Sequence, residues 1–542
     1  MRQRWGLIAV VAVISFFSGG WLLQRGAARD GGVFQQARLF DDVLSHISAY
    51  YVDSIPEGEL YHRASTGLLE QLKDPYSGLL EDEAYRELTE STTGNYGGLG
   101  IQIDVRDGWI TVVAPLPETP AERAGIETGD QIIEVDGRST EGWNSDQAVK
   151  SLRGTPGSQV KLLIRRAGFP EPLVHAITRA AIHARSVQPG SLFPGGVGYI
   201  SLSPVAESSA QELDREITSL LGQGMKSLVL DLRGNPGGLL DQGVRVADLF
   251  LDPTQEIVET RGRARGATKT FSDQAKQDWP NLPIVVLVND GTASAAEIIS
   301  GALQDHDRAA IIGVPTFGKG LVQTVFPFTD KTALKLTTGR WYTPSGRTIQ
   351  RAARDEQEQM RLAAQEGGAA RDSAEHPDTL RRPIYHTTGG RTVRGGGGIV
   401  PDVVVRQDTL TTPERVFATA LASNYAAYRD ALTSTALDAK NRKQVTSEDF
   451  QVTSAMRQEV LRRLRAKSVD VSDETFAAAR TLVDEQLGYE VARYVFGRHA
   501  EFRRRAAQDP QMQAALDLLR HAQSPKDLLT LAATRAGVAQ EN

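Results

Sequence analysis

The sequence predicts a multidomain α+β protein. Its centre is an α/β core with a parallel or mixed sheet, a smaller β-rich module is inserted ahead of that core, and helical regions lie at both ends. Three observations predict this. Between residues 186 and 350, short apolar runs alternate with helical patterns. Between 95 and 185 the runs are shorter, alternate apolar with polar, and are separated by glycines. Toward both ends, apolar residues recur at three- and four-residue spacings. A chain of 542 residues has room for two to four such units.

The boundaries fall at 1–24, a signal anchor or signal peptide; 25–94, an N-terminal helical region; 95–185, the inserted module; 186–350, the core; 351–394, an insertion; 395–410, a segment completing the core; and 411–542, a C-terminal helical domain. Arg2 and Arg4 precede the apolar run Gly6 to Leu23. At 18 residues the run is near the lower limit for a span, and basic charge before it sends the rest of the chain out of the cytoplasm. No small-x-small cleavage site stands out, so an uncleaved single-pass anchor is expected ahead of a cleaved signal. The remaining chain is then expected in a periplasm or exoplasmic space; for a bacterial chain that means the inner membrane facing the periplasm, or the periplasm itself if the signal is removed.

Helical spacing covers most of 25–90, interrupted at Ser54 to Pro56 and at the turn Asp74 to Ser77. In the module, strands are expected at Ile101 to Val105, Ile110 to Val113, Ile132 to Val135 and, last, Val160 to Ile164. A short proline-led helix is expected at 120–124 and a second helix at 144–152. In the core, strands are expected at 197–201, 228–232, 284–288, 309–312 and 333–338, with helices at 206–221, 236–249 and 293–304. Residues 351–380 read as an exposed helix or flexible insertion. Helices follow from Thr412, taken as the cap before Pro413, with others at 449–466, 473–495, 499–508 and 510–522.

Composition excludes several function classes. The net charge is -6, from 61 basic and 67 acidic residues, and does not call for nucleic acid. There is no cysteine, so a disulfide scaffold, a thiol nucleophile and cysteine-rich zinc sites are ruled out. No metal or organic cofactor is expected.

Chemistry concentrates at three turns. The buried strand 284–288 runs through Asn289, Asp290 and Gly291 to Ser294, where a helix begins. A serine at such a junction points into a crevice, and the amide of Ala295 is placed to stabilise an oxyanion there. On these residues alone the plain helix cap is the favoured reading, and the G-x-S-x-G elbow is absent. His306 lies twelve residues on, about 18 Å along a helix, and is a poor base. Lys319, between Gly318 and Gly320, is the better base if desolvation keeps its amine neutral. Gly313, Gly318 and Lys319 also have phosphate-loop spacing, but Gly320 replaces the Ser or Thr that ligates magnesium, and a strand follows. At the end of strand 228–232, Gly237 or Gly238 is placed to give a second oxyanion donor, and Asp231 and Arg233 read as a bracing ion pair.

GlyGlyLeuGlyIle at 97–101, AspLeuArgGlyAsnProGlyGly at 231–238, ThrAlaSerAlaAlaGluIle at 292–298, GlyAlaLeuGlnAspHisAspArgAla at 301–309, ThrPheGlyLysGlyLeuValGlnThr at 316–324 and ThrProSerGlyArg at 343–347 occur in order. Together they resemble the bacterial carboxyl-terminal processing, or tail-specific, serine proteases with an embedded PDZ domain. The resemblance covers roughly 34–350 and Gly395 to Val403. It implies a Ser294–Lys319 dyad, with Gln323 orienting the lysine, Glu297 as an acidic neighbour, and Ala295 with the glycines 237–238 as oxyanion hole. It also implies a PDZ loop at Gly97, Gly98, Leu99, Gly100 and Ile101 that grips substrate C-termini. Ala296 replaces a second serine usual in the family. The implied activity is endopeptidase cleavage of extracytoplasmic proteins at or near their C-termini. The partners implied are proteins or peptides with accessible C-termini, a possible adaptor or lipoprotein regulator, and further copies of the chain. A catalytically silent anchored PDZ scaffold and an acyl-CoA-type enzyme are the competing readings.

Overall fold

The computed structural model describes residues 33–166, 168–352, 382–407 and 409–541. The apolar run at 6–23 and most of the insertion lie outside these residues. Among the described residues no helix is long and apolar enough to cross a membrane.

The chain divides into two compact units. One holds residues up to Tyr85 with Gln323–Thr337, the other Arg86–Val322 and Thr338 onward. In the first, helices cover 33–50 and Glu57–Glu70. The strand Gly78–Glu81 then pairs antiparallel with Thr332–Lys335. A purely helical reading of this stretch misses that strand, because four residues are too few to show a period of two.

The core of the second unit is a six-stranded mixed sheet in the order Ser191–Phe193, Val197–Ser201, Ser227–Asp231, Ile284–Val288, Ala310–Gly313, Val403–Val404. The first pair is antiparallel and the others are parallel. Side chains alternate between faces, so each central strand feeds two cores. Leu228, Leu230, Ile284 and Val286 meet the helices Ser209–Gly222, Leu240–Asp248 and Ala295–Asp305. Val229, Val285 and Leu287 meet Met512, Ala515, Leu516 and Leu519 of helix Pro510–His521 and Leu528 of helix Pro525–Glu541. Burial on both faces explains why these strands read as unbroken apolar runs. The far end of the chain thus supplies one whole layer of the core.

The module is a separate sheet ordered Ile101–Arg106, Trp109–Pro115, Gln131–Val135, Gln159–Arg165, Leu173–Thr178. It does not end at Val160–Ile164. Leu173–Thr178 pairs with that strand along its length, and Ala180–His183 pairs with Asn95–Gly98 as a two-stranded stalk. His175 and Ala176 break the apolar alternation that marks a strand in sequence. Ile101–Arg106 is the open edge, with helix Ser145–Leu152 beside it. The expected helix 473–495 is two, Asp473–Ala478 and Arg480–Phe496. Gly488, inside the second, packs under the Arg504 side chain, whose Nε would lie 2.6 Å from a Cβ there. Thr411, not Thr412, precedes the helix Thr412–Leu421; its amide donates to Glu414 Oε2 at 2.9 Å.

Candidate active site

Two turns at the carboxyl ends of neighbouring parallel strands build the site, where ligand crevices form in open α/β sheets. Asn289 closes the first turn and ties it to the second. Its Oδ1 accepts from the amides of Gly234 (2.8 Å) and Gly291 (3.1 Å). Asn235 is fully buried: its Nδ2 donates to Leu202 O (2.7 Å), its carbonyl accepts from the Ala293 amide (2.9 Å), and its Oδ1 accepts from the Gly237 amide (2.9 Å). The last bond removes the Gly237 amide from the set of available oxyanion donors. Among the described residues the amides of Gly238 and Ala295 have no acceptor. Gly237 contributes space instead: a Cβ there would lie 2.8 Å from Ser294 Cβ and 2.9 Å from Ala295 N.

Ser294 immediately precedes helix Ala295–Asp305 with φ 54° and ψ −118°. For a residue bearing a Cβ this is a strained conformation, costing about 1–3 kcal/mol, and such strain clusters at functional sites. Three residues on, Glu297 is fully buried. Its Oε2 accepts from the amides of Ser294 (2.8 Å) and Lys319 (2.9 Å), and its Oε1 from Thr316 Oγ1 (2.5 Å) and the Gly318 amide (2.8 Å). One carboxylate oxygen thus holds the backbones of Ser294 and Lys319 side by side. Burial pushes the Glu297 carboxyl up from its ordinary value, against the downward pull of these four donors.

The lysine turn is fixed from its other sides too. The Lys319 carbonyl accepts from Trp341 Nε1 at 3.0 Å. Thr316 Oγ1 accepts from the Ile399 amide at 2.6 Å, and Arg351 donates to the carbonyls of Phe317 (2.9 Å) and Thr316 (2.8 Å). Sequence reasoning assigned no task to Asn235, Thr316, Trp341 or Arg351; only the position of Asn235 and Thr316 inside quoted motifs hinted at one. Gln323 lies on the strand Leu321–Pro327, and its Nε2 is buried without a hydrogen-bond partner among the described residues. His306 ends the helix that Ser294 begins, with its Nε2 2.6 Å from Glu256 O.

Asp231 and Arg233 do form the expected ion pair: Nη2 to Oδ2 is 2.6 Å and Nε to Oδ1 is 3.0 Å. In the module, Gly97 and Gly98 belong to the stalk and not to a free loop. A Cβ on Gly97 would come 2.1 Å from Gly154 O. The loop proper is Leu99 and Gly100. Their carbonyls accept from Ala121 N (3.0 Å) and Leu116 N (2.8 Å), while among the described residues their amides have no acceptor. Ile101 begins the open edge strand. Among the described residues no group of three or more His, Asp or Glu is placed to hold a metal ion.

A sequence model of peptidase family S41 matches residues 196–356, and one of the PDZ domain matches 87–165. The chain is 40% identical over 321 residues to the carboxy-terminal-processing protease of Bartonella bacilliformis, covering 58% of this chain and 73% of that protein. It is 37% identical over 303 residues to the carboxy-terminal processing protease CtpA of Bacillus subtilis, covering 56% of this chain and 64% of the relative. Among solved structures, the photosystem II D1 C-terminal processing protease matches with 31% identity and a TM-score of 0.33, over 57% of this chain and 83% of that one. The chain belongs to the carboxy-terminal-processing protease family, peptidase family S41, and carries its PDZ domain.

Proposed function

We propose that the chain is a serine endopeptidase that cuts extracytoplasmic proteins at or near their C-termini, with Ser294 as nucleophile and Lys319 as general base. The observation that carries the reading is the single Glu297 oxygen accepting from both backbones, beside a serine held at φ 54°. Neutral Lys319 takes the Ser294 proton as Oγ attacks a peptide carbonyl carbon. The oxyanion is met by the unpaired amides of Ala295 and Gly238. The C–N bond then breaks, and the lysine ammonium returns its proton to the leaving amine. Water, deprotonated by Lys319, hydrolyses the acyl-enzyme. Gln323 orients the lysine.

The PDZ domain receives the tail. A substrate C-terminus adds as a strand to the open edge Ile101–Arg106, its carboxylate on the amides of Leu99 and Gly100. The apolar run at 6–23 anchors the chain at the inner membrane. Exposed Phe34, Leu39, Phe40 and Val43 on helix 33–50 support self-association.

The test is incubation with a protein bearing a disordered C-terminus, with fragments identified by mass spectrometry. Wild type cuts it, and Ser294→Ala and Lys319→Ala bind without cutting. Binding with no cleavage by any form, wild type included, would leave the anchored PDZ scaffold as the function.

A further inference from the structure

We propose that Asp509 and Gln511, in the C-terminal helical region, are positioning residues for catalysis: through Arg233 they hold the glycine turn that flanks Ser294. The inference rests on the protease reading above and assigns a task to a part of the chain beyond the stretch matched by the family S41 model, which ends at 356.

Along the strand Ser227–Asp231 and its continuation, Leu228, Leu230 and Leu232 face the catalytic helix, while Val229 faces the C-terminal helices. Asp231 and Arg233 continue the second set and so approach the tail from behind the site. There Arg233 Nη1 meets Asp509 Oδ2 at 2.6 Å and Gln511 Oε1 at 3.0 Å, while Nη2 and Nε remain on Asp231. Tyr199 donates its hydroxyl to Asp231 Oδ2 at 2.9 Å and closes the cluster. The planar guanidinium is therefore spanned by two carboxylates, a geometry that a lysine ammonium cannot reproduce.

Asp509 works with both oxygens. Oδ1 accepts from the amides of Gln511 (2.9 Å) and Met512 (3.1 Å) and starts the helix that covers the sheet; Oδ2 holds Arg233. Gln511, fully buried, also donates Nε2 to Val405 O at 2.8 Å. The next residue after Arg233 is Gly234, the first of the turn that brings Gly237 against Ser294 and Ala295 and ends at Gly238 against Val205. A turn rich in glycine has little stiffness of its own, so its place is set by what holds its ends. Asn235 grips its middle, Asn289 grips its first residue, and the Arg233 clamp holds the chain just before it.

The experiment uses the full chain and reads acylation of Ser294 by a fluorophosphonate, kcat and KM on a tailed substrate, peptide binding by the PDZ domain, and Tm. Asp509→Ser keeps a helix-capping oxygen but does not reach Arg233. It is expected to lower acylation and kcat about tenfold or more, the scale of a small misplacement at a reacting centre. KM, peptide binding and Tm should stay near wild type. Arg233→Lys should behave likewise. Either variant, folded and acylating at the wild-type rate, overturns the proposal. So does loss of folding in both, which would make the clamp a stability device alone. A wild type that fluorophosphonate does not label overturns the protease reading and this inference together, before any variant is compared.

Discussion

The surroundings of Ser294 and the seam between the PDZ domain and the C-terminal helices both depend on charge, in opposite ways. Around Ser294 the charges are buried or half-buried and multiply partnered: Glu297, fully buried, accepts four hydrogen bonds, and half-buried Arg233 is shared by Asp231, Asp509 and Gln511. At the seam, Asp104 pairs with Arg429, and Lys467 with Asp107 and Asp430, through side chains that are largely half-exposed. Arg106 is buried there but poorly served. Its Nη2 donates to Asp104 Oδ2 at 3.2 Å and its Nη1 is 3.7 Å from Glu490 Oε2, but among the described residues neither Nη1 nor Nε makes a hydrogen bond. The Tyr494 ring lies under the Arg106 guanidinium, and its hydroxyl has no hydrogen-bond partner among the described residues. The difference teaches where rigidity resides: the first region is built to keep one geometry, the second to hold without excluding others.

The largest effect is expected where partnering is densest. Glu297→Gln puts an amide NH2 where two donors need an acceptor. It should cost about 2–5 kcal/mol of stability and at least about 100-fold in kcat, checked by chemical denaturation and by cleavage rate. A Gln variant that is as stable and active as wild type would erase the contrast drawn above.

Next comes an exception inside the core. Asp273 is buried, its Oδ2 has no hydrogen-bond partner among the described residues, and burial, then Asp248 and Asp252, push its carboxyl up to about 6 against the pull of the Ala275 amide. The folded state therefore favours the protonated acid. Its contribution is full below the unfolded value of about 3.9 and is lost as pH rises through about 6. Asp273→Asn should raise the unfolding free energy at pH 8 by an amount on the order of 1 kcal/mol, seen as a higher Tm, and change little at pH 4. Melting curves of the two proteins that stay parallel across this range would show that Asp273 is better partnered than its geometry indicates.

The smallest effect belongs to the seam. Lys467→Glu sets a carboxylate against Asp107, which is exposed, and Asp430, which is buried; the exposed pair with Asp107 is worth about 1 kcal/mol or less. Hydrogen exchange should quicken at 101–109 and 425–441 and stay unchanged in Ile284–Val288. Added salt should reproduce part of this in wild type. Equal quickening in the central strand would mean the two regions are not mechanically distinct.

Much of the core was legible in the sequence because strands buried on both faces leave continuous apolar runs, as at Ile284–Val288. The turn carrying Ser294 was legible because a buried strand, Asn-Asp-Gly and small residues occur in sequence. What escaped was long-range. Arg233 and Asp509 are 276 residues apart, and an amphipathic pattern at 510–521 announces a helix without naming the surface it covers. Gly237 and Gly238 were indistinguishable in sequence. Only the side chain of Asn235, bonded to one amide and not the other, separates them. The stalk escaped for a similar reason, since Gly97 is required by the carbonyl of Gly154, far along the chain.

The backbone at Ser294 has one more consequence. Its dihedrals suit a residue without a side chain, yet a hydroxymethyl group stands there. Selection for thermal robustness alone would replace it with glycine. A serine in such a backbone forgoes durability that glycine would keep, and strain of this kind gathers where a protein works, not where it merely holds.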